Sequence, residues 1–157
     1  MMNSKHQTGT TIVEFTLVAP LLMMLLFGIF QSGWLLFNYA VLTSAASTGA
    51  RLLATQRGYA TPYSDTKNAV LSAAGVIAPL ASLNNTLTIN ISVNGALCQS
   101  DAACATALGT ASQAPAVGTQ ASISLSYLFA PVFGGSLGSL GLIVPSSLNA
   151  TMSELVQ

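Results

Sequence analysis

Between Phe15 and Phe37 the chain has almost no polar face. Phe15, Leu17, Val18, the run Leu21-Leu22-Met23-Met24-Leu25-Leu26-Phe27, Ile29 and Phe30 place apolar side chains all around a helix. A helix apolar on every side belongs in protein or in lipid. About 20 such residues cross the hydrocarbon core of a bilayer, so a membrane span is expected over about 15–37. Trp34 and Tyr39 suit the far interface, where aromatic rings meet headgroups. From Tyr39 the pattern turns amphipathic: Tyr39, Leu42, Ala46, Gly49 and Leu53 recur at three- and four-residue steps, up to a stop at Gly58. One helix over residues 10–57 is therefore expected. At 1.5 Å per residue it would be roughly 70 Å long, its outer half standing clear of the bilayer. Pro20 should kink or loosen it, and Gly28, Ser32 and Gly33 would allow close helix contact.

After Gly58 the period changes twice. Val70, Leu71, Ala74, Ile77 and Ala78 give an apolar face to a second helix over about 65–78, limited by Pro79. Strict alternation follows. Leu87, Ile89, Ile91 and Val93 interleave with Thr88, Asn90 and Ser92, and Asn94-Gly95 is a hairpin turn signal. Ile123, Leu125 and Tyr127 alternate with Ser122, Ser124 and Ser126; Leu148, Ala150 and Met152 alternate with Asn149, Thr151 and Ser153. The glycine-rich stretch 133–141 reads as a flexible connection. The predicted fold class is α+β: a long N-terminal transmembrane helix packed on a small antiparallel sheet. The organisation is a leader over 1–9, the long helix over 10–57 and an outer α+β domain over 58–157.

Composition sharpens this picture. Of 157 residues 52% are hydrophobic and 5% charged, against about 25% charged in an ordinary soluble domain. Mean hydropathy is +0.65. Polarity outside the span comes from Ser, Thr, Asn and Gln. The formal net charge is zero, with only Arg51, Arg57 and Lys67 scattered beyond the leader, so nucleic-acid binding through phosphate neutralisation is not expected. The only histidine, His6, lies in the leader, and no metal, cofactor or catalytic constellation is legible. Cys98 and Cys104 are separated by Gln-Ser-Asp-Ala-Ala, enough for a small disulfide loop if this part is exported; in the cytoplasm they would be two thiols.

The leader carries Lys5 and His6 and no acid, so it should stay cytoplasmic and the C-terminal part should face outward. A secretory signal peptide is the competing reading, with Ala45-Ala46-Ser47 as its cleavage site, but that site lies far beyond the apolar core. At the head of the span, Gly9-Thr10-Thr11-Ile12-Val13-Glu14-Phe15 sets one carboxylate five residues after a glycine, and no further charge follows until Arg51.

That junction resembles a type IV prepilin processing signal. The longer stretch from Gly9 to Gln31 is similar to TadE-like proteins, pseudopilins of the tight-adherence (Flp) pilus system. Residues 45–51 and the Ser-Tyr-Leu-Phe-Ala-Pro-Val-Phe phrase at 126–133 resemble them too, while 58–120 carries no such mark. The resemblance implies cleavage by a prepilin peptidase between Gly9 and Thr10. It also implies an assembly role for Glu14, which would pair with the new N-terminal amine of a neighbouring subunit. Phe15 departs from the pattern, since the pseudopilins of this system often carry Tyr there. The implied protein is not an enzyme. It is a minor pseudopilin of the bacterial inner membrane, at the base or tip of the pilus, with membrane lipid, other pilins or pseudopilins and the assembly machinery as partners. The alternative is a single-pass envelope protein with an outer binding domain, which would keep its leader.

Overall fold

A computed structural model describes residues 8–77, 86–109, 118–131 and 145–157. Helix α1 (Thr8–Thr55) runs unbroken past Pro20. It closes with a tight turn in which the Gln56 N–H donates to Leu53 O at 3.2 Å. Gly58, at φ 80°, then reverses the chain, a conformation that glycine adopts without a Cβ penalty.

Helix α2 (Pro62–Ala74) begins earlier than the apolar pattern predicts, because Pro62 fixes the helical φ at its first position. It ends at Ala74, and the Ile77 N–H caps back to Ala74 O at 3.0 Å; Ala78 and Pro79 lie outside the described residues. The corner between the helices is held by side chains. Gln56 donates through Nε2 to Asp65 Oδ2 (3.3 Å) and accepts from the Thr66 hydroxyl (3.2 Å), while the Thr61 hydroxyl donates to the same Asp65 oxygen (2.9 Å).

The sheet contains β1 (Leu87–Val93), β2 (Ala96–Leu97), β3 (Gln120–Leu128) and β4 (Ser147–Leu155), in spatial order β2-β1-β3-β4 and antiparallel throughout. Asn94 and Gly95 have φ of 52° and 80°, the pair of positive values that a type I′ hairpin turn needs. Asn94 also ties this turn to the start of β3: its N–H donates to Gln120 O (2.8 Å) and its Oδ1 accepts from the Gln120 N–H (3.0 Å). A third helix, α3 (Asp101–Leu108), was not legible in the sequence. The connection at 133–141 lies outside the described residues.

Side-chain alternation divides the sheet. Leu87, Ile91, Val93, Ala121, Ile123, Leu125, Leu148 and Ala150 are buried in the core, which continues through Leu42, Ala45, Ala46, Ala50 and Leu53 of α1 and Val70 and Ala74 of α2. The opposite face is a grid of small uncharged polar residues in register: Thr88–Ser126–Asn149, Asn90–Ser124–Thr151 and Ser92–Ser122–Ser153. The architecture is the expected α+β one, a long apolar helix packed on a four-stranded antiparallel sheet. One position differs. Tyr39, expected on the packed face of α1, is 46% exposed, and Asn38 occupies the seam instead, 1% exposed. Asn38 donates through Nδ2 to Trp34 O at 2.7 Å, while its buried Oδ1 has no hydrogen-bond partner among the described residues.

Candidate functional site

Two regions carry the chemistry that the sequence singles out. The first is the N-terminal half of α1. Helix α1 starts at Thr8, so the Gly9–Thr10 peptide bond falls in its first turn, where the N–H groups have no intrahelical partner and the helix frays most readily. From Ile12 to Phe30 nearly every large side chain faces outward: Phe15 is 73% exposed, Leu17 74% and Ile29 63%. Gly28 and Gly33 are open on their surfaces, with nothing within 4 Å of an added Cβ. Ser32 and Thr16 return their hydroxyls to the carbonyls one turn back, Gly28 O and Ile12 O, each at 2.8 Å. Neither hydroxyl therefore enters lipid without a hydrogen bond. Glu14 is exposed among these residues, the one carboxylate of α1.

The transition from bare to packed helix is sharp. Trp34 and Leu35 are the first large apolar residues of α1 to lie against the domain core, and Trp34 stacks on Phe37 with ring centroids 5.9 Å apart. Trp34 thus meets protein on one side, where the sequence pattern gave it only headgroups. From Leu42 onward the helix is part of the globular core.

The second region is the cysteine loop. Cys98 and Cys104 form a disulfide, and both are buried (2% and 0% exposed). Ser100 caps α3, accepting from the Ala103 N–H at 3.2 Å. Asp101, the first residue of α3, reaches across to α2. Its Oδ1 accepts from the Ser64 N–H (2.8 Å) and its Oδ2 from the Ser64 hydroxyl (2.6 Å). These hydrogen bonds, the side-chain one first, hold the Asp101 carboxyl below the usual aspartate range. In sequence Asp65, Asp101 and Glu154 look dispersed; in the fold each has a nearby partner. Glu154 lies 3.8 Å from Arg51 in an exposed pair. Sequence reasoning missed the link between α2 and α3 because its two halves lie 37 residues apart.

Among the described residues no group of three or more His, Cys, Asp or Glu could hold a metal. By length and composition α1 is long and apolar enough to cross a membrane, and its most apolar window is wholly exposed. The class so defined is a chain with one apolar N-terminal helix, suited to a single-pass anchor, that continues into an α+β domain. The family model of TadE-like proteins matches residues 9–51; it starts at Gly9 and ends within the packed half of α1. Over that segment the chain is similar to TadE-like proteins, as the motif implies. No curated protein and no solved structure matches the chain.

Proposed function

We propose that this protein is a minor pseudopilin of the tight-adherence type, anchored in the bacterial inner membrane with its N-terminus cytoplasmic and its α+β domain outside. A prepilin peptidase would cut it between Gly9 and Thr10. The observation that carries the reading is the bare half of α1. It is apolar all round, is bordered by Gly9 and Glu14, and falls within the segment that matches the TadE-like model. A buried disulfide in the C-terminal domain supports an oxidising, extracytoplasmic location.

In this reading cleavage creates an amine at Thr10, four residues before Glu14. An acid at the centre of a membrane helix costs about 2.5–3.5 kcal/mol on the insertion scale and less near the interface. Pairing with the amine of a neighbouring subunit lowers that cost and sets axial register between helices. The function is then assembly, with other pilins, the assembly machinery and lipid as partners.

Intact-mass measurement of membrane-extracted protein tests the reading: the mature chain starts at Thr10. A retained Met1, or a start after Ser47, removes it. Glu14→Ala should insert and be cleaved yet assemble poorly, because insertion depends on the apolar run and cleavage on Gly9. Replacing Gly9 with a bulky residue should block processing. Normal surface piliation by Glu14→Ala in cells lacking the native copy would reject the pairing role.

A further inference from the structure

Beyond Glu14, the charges of this chain are confined to one end of the domain. They are Arg51, Arg57, Asp65, Lys67, Asp101 and Glu154. Arg51 and Glu154 face each other near the end of α1, and Arg57 follows that end. Asp65 and Lys67 are in the first half of α2, where Asp65 meets Gln56. Asp101 joins the start of α2 through Ser64. Because α2 starts where α1 stops, this is the end remote from the apolar half of α1.

The opposite end, the base, has another character. β4 finishes beside the last turn of α1, where the Gln157 N–H donates to Ala54 O at 3.1 Å, so it starts toward the apolar half. β3 is antiparallel to β4 and ends at the base, and β1 starts there. α2 packs back along α1, with Val70 at Gly49, and ends there too. At the base Leu128 is 59% exposed and Val76 68%, and Ala130 and Pro145 are exposed. The joining stretches 78–85 and 132–144 lie outside the described residues; in sequence they hold no Asp, Glu, Lys, Arg or His.

Helix length fixes how far the base stands from lipid. In the anchored arrangement Glu14 marks the inner edge of the bilayer. Trp34 follows twenty residues later, about 30 Å of helix, which is the thickness of the hydrocarbon core. Trp34 therefore stands at the outer edge, and there α1 already lies against the domain core. Gln31, a turn lower, is 6% exposed, so protein covers that face of the helix inside the span. No stalk separates the domain from the bilayer. A second copy anchored the same way turns its own base to the same bilayer and cannot cover this one. With no cation at the base, attraction to anionic headgroups does not drive contact; burial of aliphatic side chains at the headgroup–acyl boundary does.

We propose that the base of the α+β domain is a second membrane-contact surface, which buries Leu128 and Val76 among outer-leaflet lipids independently of lipid charge. The proposal rests on the anchored orientation given under Proposed function.

The test uses the full chain in phosphatidylcholine vesicles at single-chain dilution, nitroxide-labelled in turn at Leu128→Cys, Val76→Cys, Leu97→Cys and Leu22→Cys. The native cysteines are held in the buried disulfide and do not take the label. Leu97, 62% exposed on β2 at the charged end, is the water control; Leu22 in the span is the lipid control. Collisions with oxygen, which concentrates in lipid, are compared with collisions with a water-soluble nickel chelate. The oxygen-to-nickel ratio at 128 and 76 should exceed that at 97 at least about ten-fold, as for side chains at the acyl boundary. It should not change in high salt or when anionic lipid is added. Water-like ratios at 128 and 76, a ratio that rises only when chains are crowded, or one that collapses in salt would each overturn the proposal. Low collision with both reagents at 128 would mean that protein covers the base, and would overturn it too. Water at 22 would end the anchored reading itself, whereas lipid at 22 with water at 128 ends this proposal alone.

Discussion

At Gly49 the helix α1 lies close against Val70 of α2 and Ile123 of β3, and adding one methyl group there should destabilise the domain measurably. A Cβ at Gly49 would sit 2.7 Å from Ile123 Cδ1 and closer still to Val70 Cγ2. Carbon atoms rest at about 3.5–4.0 Å, so both neighbours must move by about an ångström. The end of Ile123 can swing about its outer torsion. Val70 cannot follow easily, because a β-branched residue in a helix is nearly locked at χ1 and Val70 is fully buried. Overpacking of this kind costs about 1–3 kcal/mol. Against it stands the helix propensity gained in replacing Gly by Ala, about 0.8–1 kcal/mol. The net expectation for Gly49→Ala is a loss of up to about 2 kcal/mol. Urea-dependent pulse proteolysis of the full chain in detergent micelles measures it. Gly33→Ala, which meets nothing within 4 Å, is the control and should be neutral or slightly stabilising. In a Val70→Ala background Gly49→Ala should lose most of its cost, a coupling of about 1 kcal/mol or more. If Gly49→Ala behaves like Gly33→Ala, or its effect is the same with and without Val70, the close-approach argument is wrong.

Replacing Cys98 and Cys104 by Ala releases a loop with a sequence separation of 6; its closure contributes about 2 kcal/mol on the chain-entropy model, and the same proteolysis assay should show a loss of that size. Asp101 predicts a pH dependence. Its folded carboxyl titrates below its ordinary range, so its contribution is complete above the unfolded pKa and is lost as pH falls through the folded one. Acid titration of stability should show this falling limb in the wild type and a flatter one in Asp101→Asn; identical acid limbs would sink the assignment.

What the sequence reveals here depends on how local the cause is. The strands were legible because alternation is a property of neighbours, and β1, β3 and β4 lie where Leu87–Val93, Ser122–Tyr127 and Leu148–Ser153 place them. Helix α3 was not: an eight-residue segment that is half alanine shows no apolar stripe, and its position is set by Ser100, by the disulfide and by the distant Ser64. The start of α2 was available in Thr61-Pro62 but was outweighed by the apolar period that follows. Seam and close approach are non-local. Nothing around Asn38 distinguishes it from Tyr39 until the sheet is in place, and Gly49 reads as one more small residue until Val70 and Ile123 face it. The disulfide was readable as a pair and a short spacing. Gly9 and Glu14 were readable as a resemblance, and their setting on a bare helix was predictable from hydropathy alone.

Helix α1 belongs at once to the anchor and to the core of the domain, and this makes it an axle. Beyond Pro20 no proline interrupts it before Thr55, and its last turns are fixed in the domain core by buried side chains at Leu42, Ala46, Ala50 and Leu53. Torque applied to the lower turns is passed to the sheet without a joint to absorb it. Each residue advances about 100° around a helix. In the anchored arrangement proposed above, the side of the lower helix turned to a neighbour would therefore set the compass bearing of β4. Inserting a single residue between Leu21 and Phe30 would swing the sheet by about that angle while leaving the fold of the domain untouched.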